Sequence, residues 1–178
     1  NGVNTPKLGS NMTAIVYDEK VETVNGNIPA YWREATTENE WYNYGSQKWA
    51  NAVTEDGSMW VWIPRYEYNI SGQTININFI PKSTTQTTGT ITNEYRIHPA
   101  FEDGKDNNYM NGEWDSELSG IWVAKFEASR SDSEKGKQGS SAIVTVRADV
   151  KSWINITIGG AYKNCLDMLP IEYGSHLM

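Results

Sequence analysis

The sequence predicts an α+β, mainly β fold, in which antiparallel hairpins are followed by one short C-terminal helix. Three observations lead to this prediction. The chain contains 8 Trp and 10 Tyr but only 3 Phe, and most of these aromatic residues stand in short alternating segments, a pattern typical of half-buried strands. Turn dipeptides such as Asp56-Gly57 and Ser71-Gly72 separate these segments. Thr157 precedes an apolar segment that ends before Pro170, which is the pattern of a capped helix.

The length of 178 residues favours one domain with a core of its own. Residues 1–13 are polar and contain glycine and proline, so we expect a flexible or partner-engaging N-terminal segment there. A single mainly-β domain is predicted over residues 14–178, and its first β-prone segment is Ala14–Tyr17.

One segment fits two different structures. Thr37 and Glu40 have the spacing of a capping box, which predicts a helix over residues 38–52. A hairpin is the alternative, and we favour it because Trp and Tyr prefer strands and a central glycine weakens a helix. The predicted hairpin has the strands Trp41–Tyr44 and Lys48–Ala52 on either side of a turn at Gly45-Ser46.

The clearest hairpin lies in the middle of the chain. Met59–Ile70 alternates in side-chain character, Ser71-Gly72 turns the chain, and Thr74–Ile80 returns. On the returning strand Ile75, Ile77 and Phe79 share one face. Further strands are predicted at Glu94–Phe101 (interrupted by Pro99), Gly120–Ala128 and Ala142–Arg147, with polar loops at 81–93, 102–119 and 129–141 and a helix from Thr157 through Leu169.

The composition argues against several classes of function. The net charge is −7, which disfavours a nucleic-acid backbone as partner. No run of 18 apolar residues exists in the sequence, so we expect no membrane span. Cys165 is the single cysteine and cannot form an internal disulfide. Together with the many Thr and Asn residues, this composition fits an extracellular protein.

No catalytic constellation is evident in the sequence. His176 and Cys165 form the one conceivable base and nucleophile pair, and no third group that would orient them is identifiable. Carboxylates beside Trp114 and Trp122 could suggest a glycosidase, but such residues are common enough for chance to explain them. We therefore expect no catalytic, cofactor-binding or metal-binding residues. The alternative is Ca²⁺ in the oxygen-rich loop at 102–117, although its spacing does not match an EF-hand.

Aromatic residues in polar, turn-rich segments are the candidate contact residues. Trp and Tyr combine a flat apolar face with one polar atom, which suits a protein interface or the apolar face of a sugar ring. Aromatic residues in apolar strands, such as Trp60, Trp62 and Trp122, are expected in the core instead. The candidate interface or ligand residues are Trp32, Trp41, Tyr44, Trp49 and Trp114.

Three segments resemble a known class of proteins. The sequences MWVWIPRYEY, GIWVAKFEAS and VKSWINITIGGAY resemble motifs of formylglycine-generating-enzyme-like, C-type-lectin-like domains, also described as sulfatase-modifying-factor-like. The segments KWANAVTEDGSMWVWIPRYEY, HPAF, GEWDSELSGIWVAKFEAS and SHLM are similar to a clostridial group of extracellular proteins with a pilin-like N-terminal helix. The resemblance covers residues 41–178 apart from the loops. It implies a partial domain, because such domains continue past His176-Leu177-Met178 into a half that carries the catalytic cysteine pair of the enzymes.

This resemblance implies a bacterial extracellular or cell-surface protein. We expect a non-enzymatic structural protein, a subunit of a surface filament or pilus-like assembly that associates with itself through residues 1–13 or the Trp41–Ala52 hairpin. The resemblance implies that the partial domain is either incomplete or completed by another chain. The alternative is an adhesion module, lectin-like or phage-tail-like, that binds a glycan or a host receptor.

Overall fold

The computed structural model describes residues 3–82, 95–103, 114–132 and 143–168. The described pairs β1–β2, β1–β3, β3–β4, β5–β6, β5–β7 and β9–β10 are antiparallel, which confirms the α+β, mainly β class. The strands are β1 (Met12–Tyr17), β2 (Trp32–Glu34), β3 (Asn51–Thr54), β4 (Met59–Pro64), β5 (Tyr66–Ser71), β6 (Thr74–Phe79), β7 (Arg96–Ile97), β8 (Gly120–Ala124), β9 (Ser129–Arg130) and β10 (Val144–Thr145), and the helices are α1 (Glu38–Trp41) and α2 (Ile158–Leu166).

The chain forms two compact units. The first unit comprises Asn1–Lys7 and Trp62–Val123, and the second comprises Leu8–Val61 and Ala124–Met178. β1 begins at Met12, two residues before the predicted strand. The division into an N-terminal segment of 13 residues and one domain stays a prediction.

The second unit contains the larger part of a sheet with the strand order β2-β1-β3-β4-β8. β1 lies between β2 and β3 in register, with Tyr17 opposite Trp32 and Ile15 opposite Asn51. One side of these strands buries a core of Ile15, Ile28, Val53 and Met59, against which Trp32 and Phe126 pack. The sheet thereby holds Tyr17 and Trp32 next to each other at its edge.

The first unit contains the predicted central hairpin, which the structure confirms from Tyr66 onward. The predicted strand Met59–Ile70 is divided at Arg65 into β4 and β5, which belong to different sheets. β5 and β6 pair from Tyr66 opposite Phe79 to Ser71 opposite Thr74, and β7 joins β5 on the other side. Gly72 starts the two-residue turn with a φ of 61°, a left-handed conformation that favours glycine. The core of this unit consists of Ile80, Ile97 and Phe101, with Ile63, Tyr66, Leu118 and Ile121 packed against it.

Arg65 is a fully buried cation in the first unit. Its guanidinium forms an ion pair with Glu117 and donates hydrogen bonds to the carbonyl oxygens of Phe101 (3.2 Å) and Leu118 (3.1 Å). A charged group that leaves water needs such partners to avoid a large desolvation cost. The ion pair therefore fixes the segment before β8 against the end of β4.

The prediction for residues 38–52 was wrong in both of its forms. The Thr37 N-cap is real, because its Oγ1 accepts a hydrogen bond from the Glu40 amide at 3.3 Å. The Glu40 carboxylate accepts from the amide of Thr36, one residue before the N-cap, and the helix ends after one turn at Trp41. The predicted hairpin is reduced to a single bridge between Asn43 and Lys48. The reason is local, since the Asn43 side chain accepts from the Ser46 amide (3.2 Å) and holds a 3₁₀ turn that competes with both helix and strand.

Other elements are shorter than predicted. The strand expected over Glu94–Phe101 is confined to β7, because a 3₁₀ turn begins at Pro99. β8 and β10 occupy only part of the predicted Gly120–Ala128 and Ala142–Arg147. The Thr157 cap is confirmed by its hydrogen bond from the Gly160 amide (3.1 Å), and the helix ends at Leu166. Residues 83–94, 104–113, 133–142 and 169–178 of the predicted loops and C-terminal segment lie outside the described residues.

Within the described part of the chain, neither α-helix has the length and apolar character that crossing a membrane requires.

Gly120 marks a close approach between β4 and β8. A Cβ atom placed on Gly120 would lie 2.3 Å from Cζ2 of the Trp62 indole and 2.8 Å from the carbonyl oxygen of Ile63. The Trp62 ring in turn meets the Trp122 ring edge to face at 5.3 Å. Any side chain at position 120 must therefore displace a buried indole and a backbone carbonyl.

We predict that Gly120→Ala destabilises the protein by about 1–3 kcal/mol, the usual cost of overpacking a well-filled core. Urea denaturation followed by tryptophan fluorescence measures the difference. The matched control is Gly159→Ala, because a Cβ there has no neighbour within 4 Å and alanine favours the helical position by up to about 1 kcal/mol. Equal free energies of unfolding for the two variants would contradict this account of the packing.

Candidate functional site

An open groove in the second unit brings several of the predicted contact residues together. Its volume is about 390 Å³, within the range of about 300–1,000 Å³ that small-molecule sites occupy. We call it the aromatic groove, after the four aromatic residues in its lining. It is lined by Ile15, Val16, Tyr17, Trp32, Trp41, Gln47, Lys48, Trp49, Asn51, Val61 and Lys125.

Trp32 and Trp41 are held in place by Arg33, which follows Trp32 on β2. The Arg33 guanidinium donates to Asp18 at 2.8 Å and forms an ion pair with Glu40, the residue before Trp41. Glu40 also accepts from the amide (2.9 Å) and the hydroxyl (2.8 Å) of Thr36. One arginine therefore ties the only turn of α1 to the edge of the sheet.

Asn51 is the polar centre of the groove. Its backbone carbonyl accepts a hydrogen bond from Trp41 Nε1 at 2.7 Å, and its side-chain amide donates to the carbonyl of Trp49 at 2.9 Å. The Trp49 ring, 39% of whose residue surface is exposed, meets the half-buried Tyr44 ring edge to face at 5.7 Å. These contacts hold two indoles, those of Trp41 and Trp49, beside one depression.

Lys125 brings a positive charge into this aromatic site. Its Nζ donates to Asn51 Oδ1 at 2.6 Å and lies 4.7 Å from the centre of the Trp32 ring, which is the geometry of a cation–π contact. Burial lowers the pKa of the Lys125 ammonium. No carboxylate forms an ion pair with it among the described residues.

The charge of the groove is opposite to that of the chain. Lys48 and Lys125 are among its lining residues, and the described lining contains neither Asp nor Glu, whereas the whole chain has a net charge of −7. Flat aromatic faces, amide groups and ammonium groups therefore face a common space. Such a set can stack against a ring and attract an anionic group.

The structure places four of the five predicted contact residues in or against the groove. Trp32, Trp41 and Trp49 line it, and Tyr44 packs behind Trp49. Trp114 belongs to the other unit, where its Nε1 donates to the carbonyl of Ala100 at 2.9 Å.

The sequence did not point to Tyr17, Asn51 or Lys125. A signal for Lys125 existed, because a lysine interrupts the apolar segment Ile121–Phe126 and a charge inside a buried strand needs a reason. Tyr17 ends a short β-prone segment and Asn51 stands in an ordinary polar one, so neither carries a comparable signal.

The described residues include only some of the histidine, cysteine and acidic side chains that could act in catalysis or bind a metal. His98 accepts from the amide of Ala100 at 3.3 Å and stacks near Tyr66, and burial lowers its pKa. Cys165 is half-buried on α2, and burial raises the pKa of its thiol. His176 and residues 104–113 of the acidic loop lie outside the described residues. Within the described residues, no three His, Cys, Asp or Glu side chains cluster as metal ligands.

No protein-family model, curated protein or solved structure matches the chain. The resemblance to clostridial surface proteins and to C-type-lectin-like domains therefore stays a prediction.

The Arg33 network makes a prediction about pH. The hydrogen bond from Arg33, followed by those from Thr36, lowers the pKa of Glu40 from about 4.5 to about 2. A carboxyl group whose pKa is lower in the folded chain stabilises it above the unfolded pKa and loses that effect as the pH falls through the folded value. We expect Glu40→Gln to lower the free energy of unfolding at pH 7, and the difference from wild type to shrink between about pH 4.5 and pH 2.

Urea titrations of both proteins across this pH range measure that difference. Glu22→Gln is the matched control, because Glu22 is an exposed loop carboxylate of the same unit, and its substitution should leave the free energy of unfolding within about 0.5 kcal/mol of wild type. A Glu40→Gln effect that is the same at pH 7 and pH 2.5 would show that charge is not its cause.

Proposed function

We propose that the chain is a non-enzymatic, extracellular binding module whose aromatic groove binds an acidic saccharide. The observation that carries the proposal is the placement of three indoles around an ammonium group that has no carboxylate partner among the described residues. A ligand that brings both a flat apolar face and a carboxylate would satisfy both parts of the groove.

The class of saccharide follows from the indole rings and the ammonium group of the groove. A pyranose ring presents C–H groups on one face, and these pack well against Trp32 or Trp49, whose indoles are amphipathic and rigid. A uronic or sialic acid adds a carboxylate that can reach the Lys125 ammonium, which makes one hydrogen bond to Asn51 and has three donors in total. Charge-assisted bonds of this type are stronger than neutral ones. A neutral saccharide would use only the stacking surface.

The proposed role agrees with the adhesion module that the sequence offered as its alternative. A filament subunit of the bacterial surface, which the sequence favoured, remains compatible with a ligand groove, since structural and adhesive functions can share one chain. The groove by itself supports adhesion, and filament formation stays a separate prediction.

We predict that the chain binds oligosaccharides that contain uronic or sialic acid, and binds their carboxyl-reduced counterparts more weakly. Trp49→Ala should weaken binding of the acidic saccharide at least about tenfold, equivalent to about 1.4 kcal/mol, because it removes an exposed stacking face. Lys125→Met should keep the apolar stem but abolish the preference for the acid over its reduced form. A glycan array followed by calorimetric titration measures both effects.

The control variant is Tyr162→Ala, which removes an aromatic ring of comparable exposure, 51%, from α2 outside the groove. Its affinity for the saccharide should equal that of wild type. Absence of binding to every acidic saccharide at millimolar concentration would overturn the proposal, and so would unchanged binding by Trp49→Ala.

A further inference from the structure

The β5–β6 hairpin has one apolar face, most of which is exposed. Antiparallel partners point to the same side of a ribbon, so the pairs Ile70 with Ile75 and Tyr68 with Ile77 share this face. Ile70 is 63% exposed, Ile75 is 63% exposed and Ile77 is 53% exposed. Large apolar residues clustered at this exposure are typical of surfaces that contact another molecule.

β6 is also an edge strand of its sheet. In the described part of the chain the strand order is β6-β5-β7, so β6 has a strand neighbour on one side only. Residues Thr74–Asn78 are all exposed. An edge of this kind presents backbone donors and acceptors to any extended segment that can lie beside it.

Within the described residues, β6 itself has none of the side chains that usually protect an edge strand. Proteins block such edges with lysine, proline or bulges, and the strand sequence Thr-Ile-Asn-Ile-Asn-Phe contains no charged residue and no proline. Its pairing with β5 is continuous over six residues. In a chain with a net charge of −7, an uncharged strand is a place where two copies can approach without direct repulsion.

The strand is complementary to itself. If two copies of β6 lie antiparallel with Ile77 facing Ile77, then Ile75 faces Phe79 and Asn76 faces Asn78. If the register shifts by two residues, Ile75 faces Ile77 and Asn76 faces Asn76. In both registers apolar residues meet apolar residues on one face and amides meet amides on the other. A two-fold interface requires this kind of complementarity.

We propose that β6 pairs antiparallel with β6 of a second copy of this chain and so joins two three-stranded sheets into one of six strands. The isoleucines of both hairpins then form a continuous apolar strip. The interface is independent of the aromatic groove, because it involves other residues, and its outcome does not depend on ligand binding.

The expected affinity is modest. Stable interfaces bury about 800 Å² per partner, and one six-residue strand with two isoleucines covers less. We therefore expect a dissociation constant of about 10–100 µM for the 178-residue chain. Sedimentation velocity between about 1 and 300 µM should show a concentration-dependent shift from monomer to dimer.

Charge substitutions at Ile77 test the geometry. Ile77→Lys and Ile77→Glu should each weaken self-association at least about tenfold, since like charges then lie opposite each other in the first register and diagonally across the two-fold axis in the second. An equimolar mixture of the two variants should associate again, because opposite charges now face each other. Circular dichroism and melting curves of each variant establish that it is folded.

Ile154→Lys is the matched control, since Ile154 is an isoleucine of similar exposure, 52%, outside the hairpin. It should dimerise as wild type does. A wild-type chain that remains monomeric at 300 µM would overturn the proposal and assign the apolar face to a different partner. Dimers that persist equally in folded Ile77→Lys, or variants that fail to associate when mixed, would also overturn it.

Discussion

The burial of Arg65 is the constraint on which the unit formed around residues 62–123 depends. A guanidinium without water must find partners for its donors, and leaving one buried and unpaired costs several kcal/mol. The carbonyls of Phe101 and Leu118 and the carboxylate of Glu117 are partners of its two terminal nitrogens, whereas Nε has no hydrogen-bond partner among the described residues. The backbone of Arg65 adds two long-range bonds, since its amide donates to Ser119 (2.9 Å) and its carbonyl accepts from Ile80 (3.1 Å). One residue thus connects the ends of several segments that are distant in sequence.

The need of a cation for partners also distinguishes Arg33 from Lys125 in the other unit. Arg33 is engaged by two carboxylates, Asp18 and Glu40, and its charge is used to hold Trp32 and the α1 turn in position. Within the described residues, the Lys125 ammonium contacts only the amide oxygen of Asn51 and the face of Trp32. An ammonium group in such surroundings retains capacity for an anion. Arg33, which has two carboxylate partners, therefore stabilises the groove. Lys125, which has hydrogen-bond donors left for an anion, is the cation suited to bind a ligand.

The features that the sequence predicted well are those determined by neighbours along the chain. The alternation of Tyr66–Ser71 and Thr74–Phe79 around Gly72, and the cap at Thr157, need only local geometry. The groove was not predictable as a unit, because its contacts join residues far apart, such as Asn51 and Lys125, 74 positions away. The search for aromatic residues in polar, turn-rich segments nevertheless identified three residues of the groove, Trp32, Trp41 and Trp49. The prediction for the segment after Trp41 was wrong because the side chain of Asn43 stabilises a turn there. Strand propensity does not account for such a bond between a side chain and the backbone.

The acidity of the chain and the cationic lining of the groove bear on the size and charge of the proposed ligand. At physiological salt, charges more than about 8 Å apart are largely screened, so a ligand inside the groove responds mainly to Lys48 and Lys125 rather than to the net charge of −7. A long polyanion extends beyond the groove. Duplex DNA carries one charge per about 1.7 Å of helix axis, and the two lysines of the groove can neutralise only a few of its phosphates. A short saccharide with one carboxylate places its charge only where the lysines are. The electrostatics therefore favour a small, singly or doubly charged ligand that also has a flat apolar face for the indoles.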